Sequence, residues 1–320
     1  MAALPRRSLG STGLEVTVLG YGAMELRGRP RGRDLSEKEA GQILGTVLDS
    51  GIDLIDTAVD YEASEERIGR NLGHRRDEYL LASKCGCLVG WERPADYPGG
   101  IPGGGPHDFS RSNIVAGVEQ SLRRLRTDHL DILQVHASPD EATLRAHAVV
   151  ETLQDLQTQG KVRYIGMSGT LPALTEHIAM GVFDVMQIPY SVVQRQHEAA
   201  ISAAAAAGIG TIIRGGAGRG APSGEDEAVR RNPKLVDAWK LAAIDDLLDG
   251  MSPMEFTLRF TISHPDVATT IVGTANPTHL TANIEAASKG PLPADLYAEA
   301  KRRLDSDNGG GLPGPRKGTP

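Results

Sequence analysis

The chain has 320 residues, 40% of them apolar and 23% charged, which fits one large globular domain or two ordinary ones and excludes bulk disorder. Thirty-four Lys and Arg against 41 Asp and Glu leave a net charge of −7, with no basic excess of the kind that wraps nucleic acid. No apolar run approaches the ~20 residues that cross a bilayer, and the first ten residues hold no apolar core of a secretory signal, so a reduced, cytoplasmic protein is expected.

Short apolar runs alternate along the chain with longer stretches of helical spacing. The first run, at 18–23, precedes Ala40, Ile43, Leu44 and Val47, which stand at i, i+3, i+4 and i+7 on one face of a helix. Gly51 stands where that helix stops, and Leu54, Ile55 and Asp56 form the second run. Residues 79–84 are the third. Val115, Val118, Leu122 and Leu125 mark the next helix, and 130–136 the fourth run. Val149, Leu153 and Leu156 form a helical face closed by Gly160, ahead of a fifth run at 164–168. A helix around 174–180 leads to the sixth run at 185–189, and an Ala-rich helix over 197–207 leads to the seventh at 211–214. Trp239 falls in a helix and reads as core. The last run is 269–273, after which Pro277 opens a helix through Leu280 and Ile284.

Repeated strand–helix units of this kind build either an open doubly wound sheet or a closed barrel. A doubly wound sheet wants a G-x-G-x-x-G turn after its first strand. Gly20-Tyr21-Gly22 instead runs into Ala23, Met24 and Glu25 without a third glycine. Eight units fit a single-domain α/β fold, a (β/α)8 TIM barrel, over residues 1–307, with the Gly/Pro-rich residues 308–320 as a mobile tail. Residues 86–109 and 215–231 are too rich in Gly and Pro, or too long, for simple connections. Each follows a strand, so each is expected as a long loop on the C-terminal face, where barrels build their sites.

Four polar residues fall at or just past consecutive strand ends: Asp56 and Tyr61 after the second, Lys84 at the third, His136 at the fourth. Singly they read as an ion pair, a half-buried aromatic and a core histidine. Meeting in one bowl, they make an acid/base device. A free phenol has a pKa of about 10, and a nearby ammonium pulls it down, which for two or three units asks ~3–4 kcal/mol of one desolvated contact. A His Nε2–H holds a carbonyl oxygen beside the phenol, so the four together polarise and protonate a carbonyl. A rival use of Asp56, Asp60 and His136 is as the ligands of a metal-dependent hydrolase. Cys85 and Cys87, one residue apart and without a neighbouring histidine in sequence, read as small packing residues, and no metal is expected. The other histidines, His74, His107, His129, His147, His177, His197 and His264, read as surface or loop residues. Trp91, Tyr97 and Phe109 crowd into the first long loop of a chain that is only 4% aromatic, and are expected to line a substrate pocket.

The run Asp56-Thr57-Ala58 ahead of Tyr61 and Ser64-Glu65 closely resembles the aldo-keto reductase signature. Ala82-Ser83-Lys84, Leu133-Gln134-Val135-His136, Gly166-Met167-Ser168 and Met186-Gln187-Ile188-Pro189-Tyr190 follow in that family's order and spacing. The resemblance implies an NADPH-dependent reductase of a small-molecule carbonyl, with NADH possible as cofactor, no nucleic-acid or membrane partner, and a monomer or weak homo-oligomer. In it Tyr61 is the general acid, Lys84 and Asp56 tune it, and His136 orients the substrate. Gly22, Ala23 and Met24 are implied beside the nicotinamide ribose, Ser168 and Gln187 at the carboxamide, and Gly215 and Ala217 at the pyrophosphate. Gly273, Thr274, His279 and Asn283 are implied around the adenosine end. The family also contains nucleotide-sensing regulatory subunits with little turnover, which is the alternative reading.

Four positions depart from the family pattern. Gly169 stands where an Asn usually follows the carboxamide serine. Arg214 replaces an aromatic that stacks on the nicotinamide, and is expected to turn toward the pyrophosphate or an acidic neighbour. Gly273 and His279 replace a Lys and an Arg that many members aim at the 2′-phosphate.

Overall fold

The computed structural model describes residues 3–29, 32–91, 105–224 and 232–306. Eight strands close into a parallel barrel: β3 (Leu19–Gly22), β4 (Leu54–Asp56), β5 (Leu80–Cys85), β6 (Leu130–Val135), β7 (Val162–Ser168), β8 (Val185–Pro189), β9 (Gly210–Arg214) and β10 (Thr269–Val272). They follow chain order round the ring, and β10 pairs back onto β3 through Thr270–Leu19, Ile271–Gly20 and Val272–Tyr21. Almost every strand residue is buried, as expected of parallel strands covered on both faces. The (β/α)8 TIM barrel read from the sequence is the observed fold.

An antiparallel hairpin of β1 (Arg6–Ser8) and β2 (Glu15–Thr17) has no counterpart among the sequence expectations. Its strands are only three residues long, too short to show an alternation. The hairpin brings Leu9 and Val16 against Leu54, Ala82, Ile132, Val185, Ile212 and Ile271, a small apolar cluster that plugs the N-terminal end of the barrel. A cleft of about 290 Å³ at that end is lined by Arg6, Asp53, Arg76, Asp131 and Arg163, whose charges are paired. Asp131 takes Arg76 at 2.6 Å and Arg163 at 2.9 Å and accepts from the Leu81 backbone N–H at 2.9 Å. Paired charges at a barrel's bottom hold strands together rather than do chemistry.

Around the barrel lie α1 (Glu37–Asp49), α2 (Ser64–Leu72), α3 (Arg111–Leu125), α4 (Glu141–Ala146), α5 (Val149–Thr158), α6 (Ala173–Met180), α7 (Glu198–Ala206), α8 (Pro233–Leu241), α9 (Pro253–Ser263), α10 (Pro277–Ser288) and α11 (Ala294–Ser306). Helix α1 starts on a capping box, with Ser36 accepting from the Glu39 N–H and Glu39 reaching back to the Ser36 N–H. Its buried residues include Ala40, Ile43, Leu44 and Val47, the face that the spacing marks. In α3 the buried stripe runs through Ile114, Val118, Leu122 and Leu125, leaving Val115 half-buried. Trp239 is buried in α8, as expected. Among the described residues no helix is long and apolar enough to cross a membrane.

Three of the histidines read as surface residues are in the core: His177, His197 and His264 are each under 5% exposed. Each serves as a local staple. His177 Nε2 meets the Pro139 carbonyl at 2.7 Å, His197 Nε2 accepts from the Leu171 N–H at 3.2 Å, and His264 Nδ1 accepts from the Asp266 N–H at 3.2 Å. Burial pushes all three below the ordinary imidazole range, His197 to about 4. The unfolded chain therefore binds more protons than the folded one below an ordinary histidine pKa of about 6.5. Each such group removes up to about 1.4 kcal/mol of stability per pH unit as the pH falls through that window. The melting temperature measured by calorimetry should decline from pH 7 to pH 5, above the range where carboxylates titrate, and a flat profile there would contradict this account.

Candidate active site

The C-terminal strand ends present a bowl whose floor is a buried ion pair. Asp56 ends β4 and Lys84 lies one residue before the end of β5; both are about 2% exposed. Lys84 Nζ stands 2.5 Å from Asp56 Oδ1 and donates also to the Thr57 carbonyl at 2.7 Å. The other carboxylate oxygen, Oδ2, accepts from Gln134 Nε2 at 2.8 Å and from Gln187 Nε2 at 2.9 Å. Two charges withdrawn from water are tolerable when each is paired and its remaining sites are hydrogen-bonded, and here they are.

Tyr61 is delivered by the turn after β4, where its N–H donates to the Ala58 carbonyl and its own carbonyl accepts from Ser64 at the start of α2. Lys84 Nζ lies 5.1 Å from the centre of its ring. His136, just past β6, sets its ring edge-on to that of Tyr61, with centroids 6.3 Å apart. The structure thus brings Asp56, Tyr61, Lys84 and His136 together.

The electrostatics differ from the sequence expectation at the phenol. Burial raises the Tyr61 pKa above its ordinary value, and the downward pull of Lys84 is the smaller effect, so the phenol is held protonated. For Lys84 burial favours the neutral amine, but Asp56 and Tyr61 outweigh it and its pKa ends above the ordinary value. Burial pushes His136 down to about 3 against the opposing charge of Asp60, with Lys84, His107 and Arg214 adding to the fall. The imidazole is neutral and offers one N–H.

The positions assigned to a dinucleotide line one side of the bowl. Gly22, Ala23 and Met24 lead out of β3 into a short turn, with Ala23 buried and Met24 39% exposed. Ser168 and Gln187, paired across β7 and β8, bond each other at 3.3 Å, and Gln187 spends an amide N–H on Asp56. A Cβ at Gly169 would meet the end of the Leu174 side chain at 2.9 Å, so a larger residue there requires Leu174 to shift. Gly215 has φ +73° and open space where a Cβ would stand, and Ala217 is buried behind it. Arg214 forms no ion pair with any described residue, and its Nε is buried without a hydrogen bond. Burial, then Arg219, holds its pKa low, while Tyr61 and Asp56 oppose them.

At the far end, Thr274 offers its carbonyl to Tyr21 Oη at 2.9 Å and its hydroxyl to the Asn276 N–H at 3.0 Å. His279 is exposed and Asn283 buried on α10, whose N-terminus is capped by Asn276. A Cβ on Gly273 would stand 2.5 Å from the Gly22 carbonyl oxygen, which excludes a lysine at that position. Among the candidate pocket residues, Phe109 packs over Gly86, whose φ of +95° and missing Cβ admit the ring, and Trp91 packs against Gly105. Tyr97 lies outside the described residues.

Comparison with known proteins decides the lineage: the model of the aldo/keto reductase family matches residues 18–304. The chain belongs to that family. An uncharacterized oxidoreductase of Bacillus subtilis, YqkF, is 26% identical over 88% of this chain and 91% of its own length. A D-threo-aldose 1-dehydrogenase of a Pseudomonas species is 27% identical over 92% of this chain and 96% of its own. The holo form of aldo-keto reductase AKR11C1 from Bacillus halodurans superimposes with a TM-score of 0.79 at 26% identity, covering 94% of this chain and 96% of that one. As an aldo-keto reductase the protein is a nicotinamide-dependent oxidoreductase. The residues present fit the cofactor: an orphaned guanidinium nitrogen, an open glycine turn and a helix N-terminus line the same side of the bowl.

Sequence reasoning missed Gln134 and the surroundings of His136. Gln134 and His136 are two apart on a strand and so face the same way, which was a usable signal for a second inward polar group. Cys87 Sγ lies 3.1 Å from His136 Nδ1 and 3.8 Å from His107 Nε2, so the cysteine taken for a packing residue has two histidines beside it. Asp56 is committed to Lys84 and the two glutamines, which removes the ligand set of Asp56, Asp60 and His136. Gln134→Leu deletes a buried hydrogen bond to a carboxylate. Urea denaturation should show a loss of about 1.5–3 kcal/mol, and an unchanged midpoint would mean the amide is not holding Asp56.

Proposed function

We propose that the protein is an NADPH-dependent aldo-keto reductase that converts an aldehyde or ketone to an alcohol, with Tyr61 as general acid. The observation that carries this reading is the convergence of Tyr61, Lys84, Asp56 and His136 in one bowl. When bound, the dinucleotide supplies the hydride. His136, neutral, donates an N–H to the carbonyl oxygen and fixes it beside the phenol. Tyr61 Oη gives its proton to that oxygen as negative charge develops there, and the resulting phenolate is stabilised by the Lys84 ammonium. Asp56, held by Gln134 and Gln187, keeps the ammonium in place. The phenolate recovers its proton from water. Run in reverse, the same groups oxidise an alcohol, and the name of the Pseudomonas relative adds aldoses to the substrates worth testing.

Ser168, Gln187, Arg214, Gly215 and Ala217 would hold the nicotinamide and pyrophosphate, and Gly22, Ala23 and Met24 the adjoining ribose. Thr274, His279 and Asn283 would surround the adenosine end. The charge that Gly273 does not carry has a nearby substitute. Arg33, half-exposed, donates to the Ala275 carbonyl and so stands beside the 274–276 turn, where it would meet a 2′-phosphate. Glu25, which also lies close to Gly273, has Arg27 at 3.9 Å.

Purified protein given NADPH and a reactive aldehyde such as 4-nitrobenzaldehyde should consume the reduced nicotinamide. Tyr61→Phe should lower kcat by about 10²–10⁴-fold while leaving dinucleotide affinity unchanged. Full activity in that variant sinks the mechanism. Tight dinucleotide binding with no turnover on any carbonyl or alcohol would mark a nucleotide sensor instead. Fluorescence titration gives a separate check on cofactor choice: Arg33→Ala should weaken NADPH about fivefold or more and leave NADH unmoved. Equal losses for both would remove Arg33 from phosphate recognition.

A further inference from the structure

Among the described residues, one set of three or more His, Cys, Asp and Glu side chains has converging ligand atoms: Cys87, His107 and His136. Two chain segments are tied together to make it. After β5 the backbone turns at Gly86, and Cys87 then pairs antiparallel with His107, flanked by Leu88 N–H to Pro106 O at 2.9 Å and Asp108 N–H to Gly86 O at 2.8 Å. The backbone of His136 is fastened to the same place, donating to the Cys85 carbonyl at 3.0 Å. Phe109 stacks on the His107 ring at 6.0 Å, and His107 stands edge-on to His136 at 5.8 Å.

Tetrahedral zinc, with Zn–S about 2.3 Å and Zn–N about 2.0–2.1 Å, needs S···N separations of about 3.5 Å and an N···N separation of about 3.3 Å. Here the two S···N separations are 3.1 and 3.8 Å, and all three ligand atoms lie within 4.8 Å of one another. A movement of about 1 Å by His107, at the base of a loop, closes the set. A fourth donor is at hand in Asp60, whose Oδ1 is 3.9 Å from His136 Nδ1. Two imidazoles and a thiolate select zinc or a similar borderline cation over magnesium or calcium. Thiolate and carboxylate together balance a 2+ charge in a buried place.

We infer that Cys87, His107 and His136, with Asp60 beside them, form a zinc site in which His136 binds through Nδ1 and keeps its Nε2–H for the bowl. Binding expels the thiol proton of Cys87 to solvent and oxidises nothing. The binding does not depend on the reductase reading above.

Cobalt(II) reports the site without any catalysis. Chelator-stripped protein titrated with cobalt chloride should develop a thiolate-to-cobalt charge-transfer band that saturates at one equivalent, and stoichiometric zinc should bleach it. The band should vanish in Cys87→Ser and shift or weaken in His107→Ala. No band at one equivalent, or a band that persists in Cys87→Ser, overturns the proposal. A cobalt band in a protein that reduces no carbonyl would keep the site and dismiss the reductase reading.

Discussion

A lysine and an aspartate withdrawn from water at the heart of the barrel set the terms for everything around them. Neither Lys84 nor Asp56 can be left alone there, so the fold surrounds the pair with Gln134, Gln187 and the Thr57 carbonyl, drawn from three different strand ends. The residues that satisfy the pair are therefore the ones that shape the bowl. Structural need and chemical use coincide at the same atoms, and a cation fixed this firmly is preorganised to receive a phenolate.

The two ends of the barrel handle charge in opposite ways. At the N-terminal end Asp131 is saturated by two arginines and a backbone N–H, and a hairpin plug seals the interior. At the C-terminal end Arg214 keeps an Nε without a hydrogen bond, and Tyr61 is held protonated beside an ammonium. The unspent nitrogen of Arg214 lies at the end where a strand-and-loop barrel can use it.

Much of this was legible in the sequence, because eight buried strands leave eight apolar runs and because helices such as α1 carry their face at i, i+3, i+4 and i+7. The four polar residues at the strand ends were equally visible, since a parallel barrel carries successive strand ends to one rim. Other features left no local trace. Strands of three residues show no period, so the hairpin over Arg6–Thr17 was invisible. Cys87 and His107 meet in an antiparallel bridge across twenty positions of sequence, and such separation hides the meeting. The direction of the Tyr61 shift depended on how deeply the phenol sits against the strength of one cation, a balance that residue types alone do not set. His177, His197 and His264 took core positions because each found a backbone partner, which no spacing announces.

The contact between Gly22 and Gly273 sits at the seam where β3 meets β10 and the ring is closed. The carbonyl oxygen of Gly22 occupies the place a Cβ on Gly273 would take, so a side chain added at 273 would push against backbone at the ends of the first and last barrel strands. Redesign of cofactor preference in this protein therefore has to proceed from the flanks, through the arm that carries Arg33 or the helix that carries His279, because the direct route runs through the joint on which ring closure depends.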